Sequence, residues 1–305
     1  MTLADLGPQL QNEPARVRRL RLHQSWYRAA VLGLDNWGTT ARGTPLGSIL
    51  DRNAAQAGVN LESEEARLLF RLRAERGWGI DRSRVLAHMT SSQALMINLL
   101  GPMLCSPRWL LDWLRLLLPR ESIVEVLRAE IEYAPSRRSD FMNDMTMVDF
   151  FVEYRTPLGI DSAVVEFKYA DRINSRFVAI GENERYKALL AAQNLWLDPA
   201  VLVERRFNQL ARCHALGTSV LRASRPDGRE SHLIVIAEEH DVVARETTLA
   251  YADVLFDSTR CSHHTLTAAI GFALVSARGK RSRRLLEALR LRYVDLSASE
   301  YLTLE

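Results

Sequence analysis

Glu166 and Lys168 stand two residues apart in the apolar stretch AVVEFKYA, residues 163–170. Side chains alternate along a strand, so Val164, Glu166 and Lys168 are predicted to share one face. Asp149 lies in the preceding strand-like stretch, MTMVDFFVEYR, residues 145–155. The connection TPLGIDS carries Pro157 and Gly159, which predicts a hairpin. A hairpin can set Asp149 beside Glu166, because cross-strand neighbours lie about 5 Å apart. Two carboxylates and one ammonium on a patch suit a particular chemistry. The carboxylates can hold Mg²⁺ or Mn²⁺, hard cations that take oxygen ligands and keep several waters. Such an ion polarises a phosphodiester and lowers the pKa of a bound water. The ammonium can stabilise developing charge, or help position and deprotonate the attacking water.

Composition makes that lysine conspicuous. The 305 residues include 40 Lys+Arg, of which only Lys168, Lys187 and Lys280 are lysine. Where arginine fills nearly every cationic position, a lysine invites a chemical reason, since its pKa can shift and arginine's effectively cannot. A Glu-x-Lys spacing alone is weak, and a solvated cross-strand ion pair is the competing reading. The net charge of +3 permits a nucleic-acid partner without requiring one. Arg16, Arg18, Arg19, Arg21 and Arg28 cluster near the start, and Arg278 to Arg292 near the end. Each cluster can be a phosphate-binding face or a solvated helix face.

The elements that must position these residues follow from periodicity. Helices are predicted over 15–32, 62–76 and 91–102, the last capped by Ser91 or Ser92 and stopped by Gly101-Pro102. Helical character continues over 107–128 with a break at Pro119. The period then changes to that of strands at 129–135, 145–155 and 163–170. Helices are expected at 182–196 and 200–217, then a loop with a Pro226-Asp227-Gly228 turn. A buried strand follows at 232–239, and the remainder reads as mostly helical. Helices, a three-strand meander, helices, a strand and helices make a mixed α/β core. The N-terminal stretch lacks an apolar signal core, no apolar run is long enough to span a bilayer, and three unpaired cysteines fit a reducing compartment. A cytoplasmic protein without a membrane partner is expected.

Asp149, a linker of strand length and VVEFKYAD (164–171) together resemble the PD-(D/E)xK nuclease superfamily. The segment SSQALMINLLGP with the preceding His88, and IEYAP (131–135), extend the likeness over about residues 88–240. One departure is Val148, where the name-giving motif has proline. The resemblance implies a restriction-endonuclease-like core, a central mixed β-sheet flanked by helices, with helical N- and C-terminal additions. It divides the chain into an N-terminal basic region (1–87), a nuclease core (88–245) and a C-terminal helical extension (246–305), packed as one unit.

The resemblance implies Asp149 and Glu166 as ligands of Mg²⁺ or Mn²⁺ and Lys168 as base or charge stabiliser. Glu132 matches a further acidic residue, with Asp140 and Asp144 as rivals. Arg206, Gln209 and Arg212 fall on one predicted helix face, as candidates for nucleic-acid contact. Tyr186 and Lys187 are weaker candidates of the same kind. The expected function is metal-dependent hydrolysis of phosphodiester bonds, with DNA the expected partner and a homodimer allowed. The alternative is a catalytically silent nucleic-acid-binding or scaffold subunit. Cys261, His263 and His264 have no second ligand pair at zinc spacing. Phosphate-loop and nucleophile-elbow motifs are absent.

Overall fold

The computed structural model describes residues 2–174, 176–192, 195–225 and 228–302. The Pro226-Asp227 turn therefore lies outside the described residues. Among them a mixed sheet of five strands forms the centre, in the order β3-β4-β5-β6-β7. Its strands are β3 (Glu125–Tyr133), β4 (Val148–Thr156), β5 (Gly159–Lys168), β6 (Gly228–Ala237) and β7 (Cys261–Thr265). A separate ribbon pairs β1 (Gly38–Thr39) with β2 (Pro45–Leu46). The first three strands of the large sheet are antiparallel, and β5, β6 and β7 run parallel. Strand β5 is thus the middle strand, and its C-terminal end carries Glu166 and Lys168.

Helices cover both faces, which is why β5 carries a continuous apolar run at 163–165 and β6 one at 233–237. One face presents Phe150, Val152, Val165, Phe167, Ile234 and Ile236. Packed on it are α5 (Ser92–Leu104), α6 (Pro107–Leu117), α10 (Leu266–Ser276) and α11 (Lys280–Tyr293), with α3 (Glu64–Ala74) behind α5. The other face presents Phe151, Val164, Leu233 and Val235 to α8 (Asn208–Ser224). Short α7 (Glu184–Ala191) and α9 (Val242–Asp253) complete that layer. Helices α1 (Ala15–Trp26), extended by a wide turn to Val31, α2 (Arg52–Gln56) and α4 (Arg82–Ala87) surround the N-terminal edge.

Several elements differ from the sequence expectation. Strand β3 begins at Glu125, inside a stretch predicted helical, because pairing with Glu153 to Arg155 of β4 overrides local propensity. It is an edge strand, and Arg128 and Glu130 keep it charged. Helix α5 does not stop at Gly101-Pro102 but runs to Leu104. A Cβ at Gly101 would lie 2.7 Å from the Ala66 Cα, so this glycine permits close approach of α3. Helix α8 starts at Asn208 and reaches Ser224. Strand β7, CSHHT, lies where helix was expected; five residues without apolar alternation carry no strand signature.

The N-terminal arginines do not form an open phosphate face. Arg28 is fully buried and bonds the carbonyls of Gly47 and Asp5, both at 2.9 Å. Arg16 pairs with Glu238 at 3.1 Å and Asp241 at 2.9 Å, and Arg21 pairs with Glu13. On α11, Lys280, Arg283, Arg284 and Arg290 are exposed. Among the described residues no helix is long and apolar enough to cross a membrane.

Candidate active site

The hairpin β4–β5 pairs Phe150 with Val165 and Phe151 with Val164. One step further along this register puts Asp149 opposite Glu166. The backbone N–H of Phe167 donates to Asp149 Oδ2 at 2.7 Å, which orients that carboxylate from the neighbouring strand. On the other side β3 pairs Ile131 with Phe150 and Tyr133 with Val148, which puts Glu132 opposite Asp149. Three carboxylates thus occupy matching positions on three adjacent strands, whose axes lie about 5 Å apart.

Glu132 interrupts its strand. Its φ is +47°, in the left-handed region that non-glycine residues rarely adopt. Ile131 and Tyr133, two apart, pack into opposite cores. A regular strand would put both on one face, so the backbone turns over at Glu132. Buried Arg73 of α3 holds this turn, donating to the carbonyls of Glu132 at 2.6 Å and Ile131 at 3.2 Å. Gln93 Nε2 donates to Glu132 Oε1 at 2.7 Å. A strained residue kept this firmly points to function. Asp144 is engaged elsewhere, with the Tyr186 hydroxyl and the Thr146 N–H. Asp140 is exposed in the same loop.

Lys168 is buried and donates to Glu166 Oε1 at 2.6 Å. Gln209 of α8 donates to the same oxygen and accepts from the Asn174 N–H at 2.9 Å. The Cys213 thiol lies 3.7 Å from Glu166 Oε2. Of the three candidates on the predicted helix face, Gln209 therefore touches the acidic patch. Arg206 does not lie on α8; it is in the 3₁₀ turn Arg205–Phe207, exposed, paired with Glu204. Arg212 bonds Asn208 at 3.2 Å and Thr146 at 3.0 Å, tying α8 to the approach of β4. Lys187 is exposed and pairs with Glu184 one turn away.

The electrostatics follow from crowding. Burial raises the Asp149 pKa to about 8, helped by Glu166 and opposed by Lys168 and the Phe167 N–H. Burial likewise raises Glu132 well above the carboxylate range, and Asp149 adds to this while Gln93 opposes it. Burial works against the Lys168 charge, yet Glu166 and Asp149 more than offset it, so its pKa is raised. One ammonium therefore faces three carboxylates, and the patch is short of positive charge.

The SSQ segment carries more than a helix cap. Ser91 Oγ accepts from Ala94 N and starts α5. Ser92 Oγ accepts from the Tyr169 N–H at 3.0 Å and donates to Asp171 at 2.9 Å, pinning the chain just past Lys168. Asp171 also pairs with Arg84. Gln93 reaches Glu132. The first turn of α5 thus links β5 to β3. Sequence reasoning assigned these residues no role at the site; the available signal was three consecutive polar side chains where one cap suffices.

Helices on both sides of a mixed sheet, with acidic residues across the meander and Glu-x-Lys on β5, the middle strand of the sheet, define a restriction-endonuclease-like α/β fold. A family model of the PD-(D/E)XK nuclease superfamily matches residues 11–295, and the chain belongs to that superfamily. The match is wider than the stretch of about 88–240 on which the sequence motifs lie. No curated protein and no solved structure matches the chain significantly.

Proposed function

We propose that the protein is a metal-dependent nuclease that hydrolyses phosphodiester bonds, with DNA as its substrate. The observation that carries this reading is the register of Asp149 against Glu166, with Lys168 bonded to Glu166, in a chain of this superfamily. Asp149 and Glu166 would hold Mg²⁺ or Mn²⁺, and Glu132 would join them directly or through water. The donor set fits: all are hard oxygen ligands, and their mutual repulsion is what an added cation would relieve. Among the described residues no group of three or more His, Cys, Asp or Glu is gathered as a ready ion cage. Two carboxylates with water and phosphate oxygens are the usual surroundings of Mg²⁺. When bound, the ion supplies Lewis acidity and an activated water.

The protein's own residues divide the remaining work. Phe167 N–H and Gln209 orient the two carboxylates. Lys168, bonded to Glu166, would stabilise negative charge on the phosphate or help position and deprotonate the attacking water. The exposed cations of α11 add contacts to phosphates that carry no sequence information. The three stretches of the chain, 1–87, 88–245 and 246–305, act as one unit in this reading.

A second reading is supported by one feature: Glu166 Oε1 is already taken by both Lys168 and Gln209. On that reading the patch is a closed polar network and the protein a silent nucleic-acid-binding subunit. Cleavage of plasmid and single-stranded DNA with Mg²⁺ or Mn²⁺ separates the two. The nuclease reading predicts cleavage that EDTA abolishes and that Lys168→Ala slows about 10²- to 10³-fold, as for loss of one transition-state charge contact. DNA binding without cleavage under all these conditions supports the silent subunit.

A further inference from the structure

We propose that Trp78 is a stacking platform for an unpaired nucleotide next to the bond that is cut. The nature of the ligand rests on the nuclease reading above. Trp78 sits in the loop between α3 and α4, between Gly77 and Gly79, both in the left-handed region at φ 76° and 87°. Its side chain is 38% exposed, although a ring of this size is ordinarily buried.

The loop is fastened to the acidic patch. Gln93 Nε2 donates both to the Gly79 carbonyl at 2.9 Å and to Glu132 Oε1 at 2.7 Å. A Cβ at Gly79 would lie 3.5 Å from that of Glu132 and 2.5 Å from Arg73 Nη2, so only glycine allows this approach. Arg73 binds the Trp78 carbonyl at 2.8 Å and backs the indole with its guanidinium 4.4 Å from the ring centre. The arginine that supports the strained Glu132 backbone therefore also supports the ring.

Charge around the ring suits a polyanion. Arg138 lies 5.6 Å from the ring centre, with Arg137 exposed beside it; Arg82 at the start of α4 and Arg76, which pairs with Glu130, are exposed on the Trp78 side. A cavity of about 430 Å³ opens beside the indole, lined by Gly77, Arg82, Ser83 and Asp81, whose carboxylate is engaged by the Arg84 N–H. That volume falls in the range of small-ligand pockets. An aromatic face with flanking cations is the chemistry that holds a base and its phosphate together. Within a duplex both faces of a base are already stacked, so the platform selects a single strand or a frayed end.

Binding of a labelled oligo-dT, and of a blunt duplex of equal length, is measured in EDTA for the wild type, Trp78→Ala and Trp78→Phe. Alanine is expected to weaken oligo-dT binding about 5- to 150-fold, the ratio corresponding to loss of one base–aromatic stack. Phenylalanine is expected to restore most of it, and the duplex to be less affected. Oligo-dT should also quench tryptophan emission of the wild type more than that of Trp78→Phe, which keeps the test decisive if the alanine variant misfolds. Equal oligo-dT binding by wild type and Trp78→Ala, or equal quenching of wild type and Trp78→Phe, overturns the platform. Failure of the nuclease reading is separate: it appears as absence of cleavage by the wild type with Mg²⁺ or Mn²⁺, whatever Trp78 does to binding.

Discussion

Glu166 and Lys168 hold each other in a buried setting, with side chains 4% and 9% exposed. Removing one partner of such a pair leaves an uncompensated charge, at a cost of about 3–5 kcal/mol. Glu166→Gln should lower stability in urea denaturation by less than that amount, because Asp149 remains beside Lys168 and offsets part of its charge. Adding Lys168→Met should recover much of the loss, because the buried ammonium that lost its hydrogen-bonded partner is gone. A Glu166→Gln variant as stable as the wild type would mean that water reaches Lys168 and the pair is not sealed. At this scale the sequence was most informative where a simple period applies. Alternation and one hairpin were enough to bring Asp149, Glu166 and Lys168 together. The left-handed backbone of Glu132 was not legible, since no glycine marks it and its supports, Arg73 and Gln93, come from distant helices. Trp78 was equally hidden, because exposure is a property of the folded surface.

Among the elements, β3 shows how tertiary contacts set local structure. Its turnover at Glu132 depends on Arg73 of α3, which donates to the carbonyls of Ile131 and Glu132 in β3 and of Trp78 in the loop after α3. Hydrogen bonds to charged groups contribute about 1.5–3 kcal/mol each, though not additively. Arg73→Ala should thus destabilise the fold by a few kcal/mol and impair cleavage at substrate saturation. Arg73→Lys should rescue it only in part, because an ammonium does not match the planar fork. Unchanged turnover in Arg73→Ala would show that the Glu132 conformation does not matter to the site. Helices α3, α5 and α8 and strands β4 to β6 were visible in the sequence because each carries a long apolar period. Strand β7 and the start of β3 were not, being edge strands specified by their partners. The apparent stop at Gly101-Pro102 misled because small residues also serve close helix packing.

Across the whole molecule, buried polar groups join α1 and α11 to the end of the strand that carries Lys168. Arg292 of α11 is fully buried and binds Glu62 at 2.7 Å and the Asn60 carbonyl at 3.0 Å. Gln24 of α1 links the Arg292 carbonyl to the hydroxyl of Tyr169, the residue after Lys168. Runs of arginine at the chain ends did not disclose this, since charge in a sequence says nothing of burial.

His23 belongs to the same region, bonded to Ser299 at 2.8 Å and the Leu291 carbonyl at 2.9 Å. Burial lowers its pKa to about 4, with the Leu291 carbonyl opposing the shift. Burial lowers His214 to about 3 and His232 to about 4. A folded pKa below the unfolded value of about 6.5 means that the unfolded chain binds more protons between them. The stabilising contribution is complete above about pH 6.5 and is lost as pH falls towards 4. Urea midpoints should therefore fall less steeply between these pH values for His23→Gln than for the wild type. Parallel slopes would show that His23 binds protons in the fold as readily as in the unfolded chain.

The central claim is that Asp149 and Glu166 hold the ion used for phosphodiester hydrolysis. Its most direct test is the initial rate of DNA cleavage against Mg²⁺ concentration for the wild type and Asp149→Asn. The wild type is expected to show a saturating, EDTA-sensitive rate. Asp149→Asn, with its fold intact, is expected to fall to background at every Mg²⁺ concentration. A wild type that never cleaves, or an Asp149→Asn variant that cleaves with the same Mg²⁺ dependence, would contradict it.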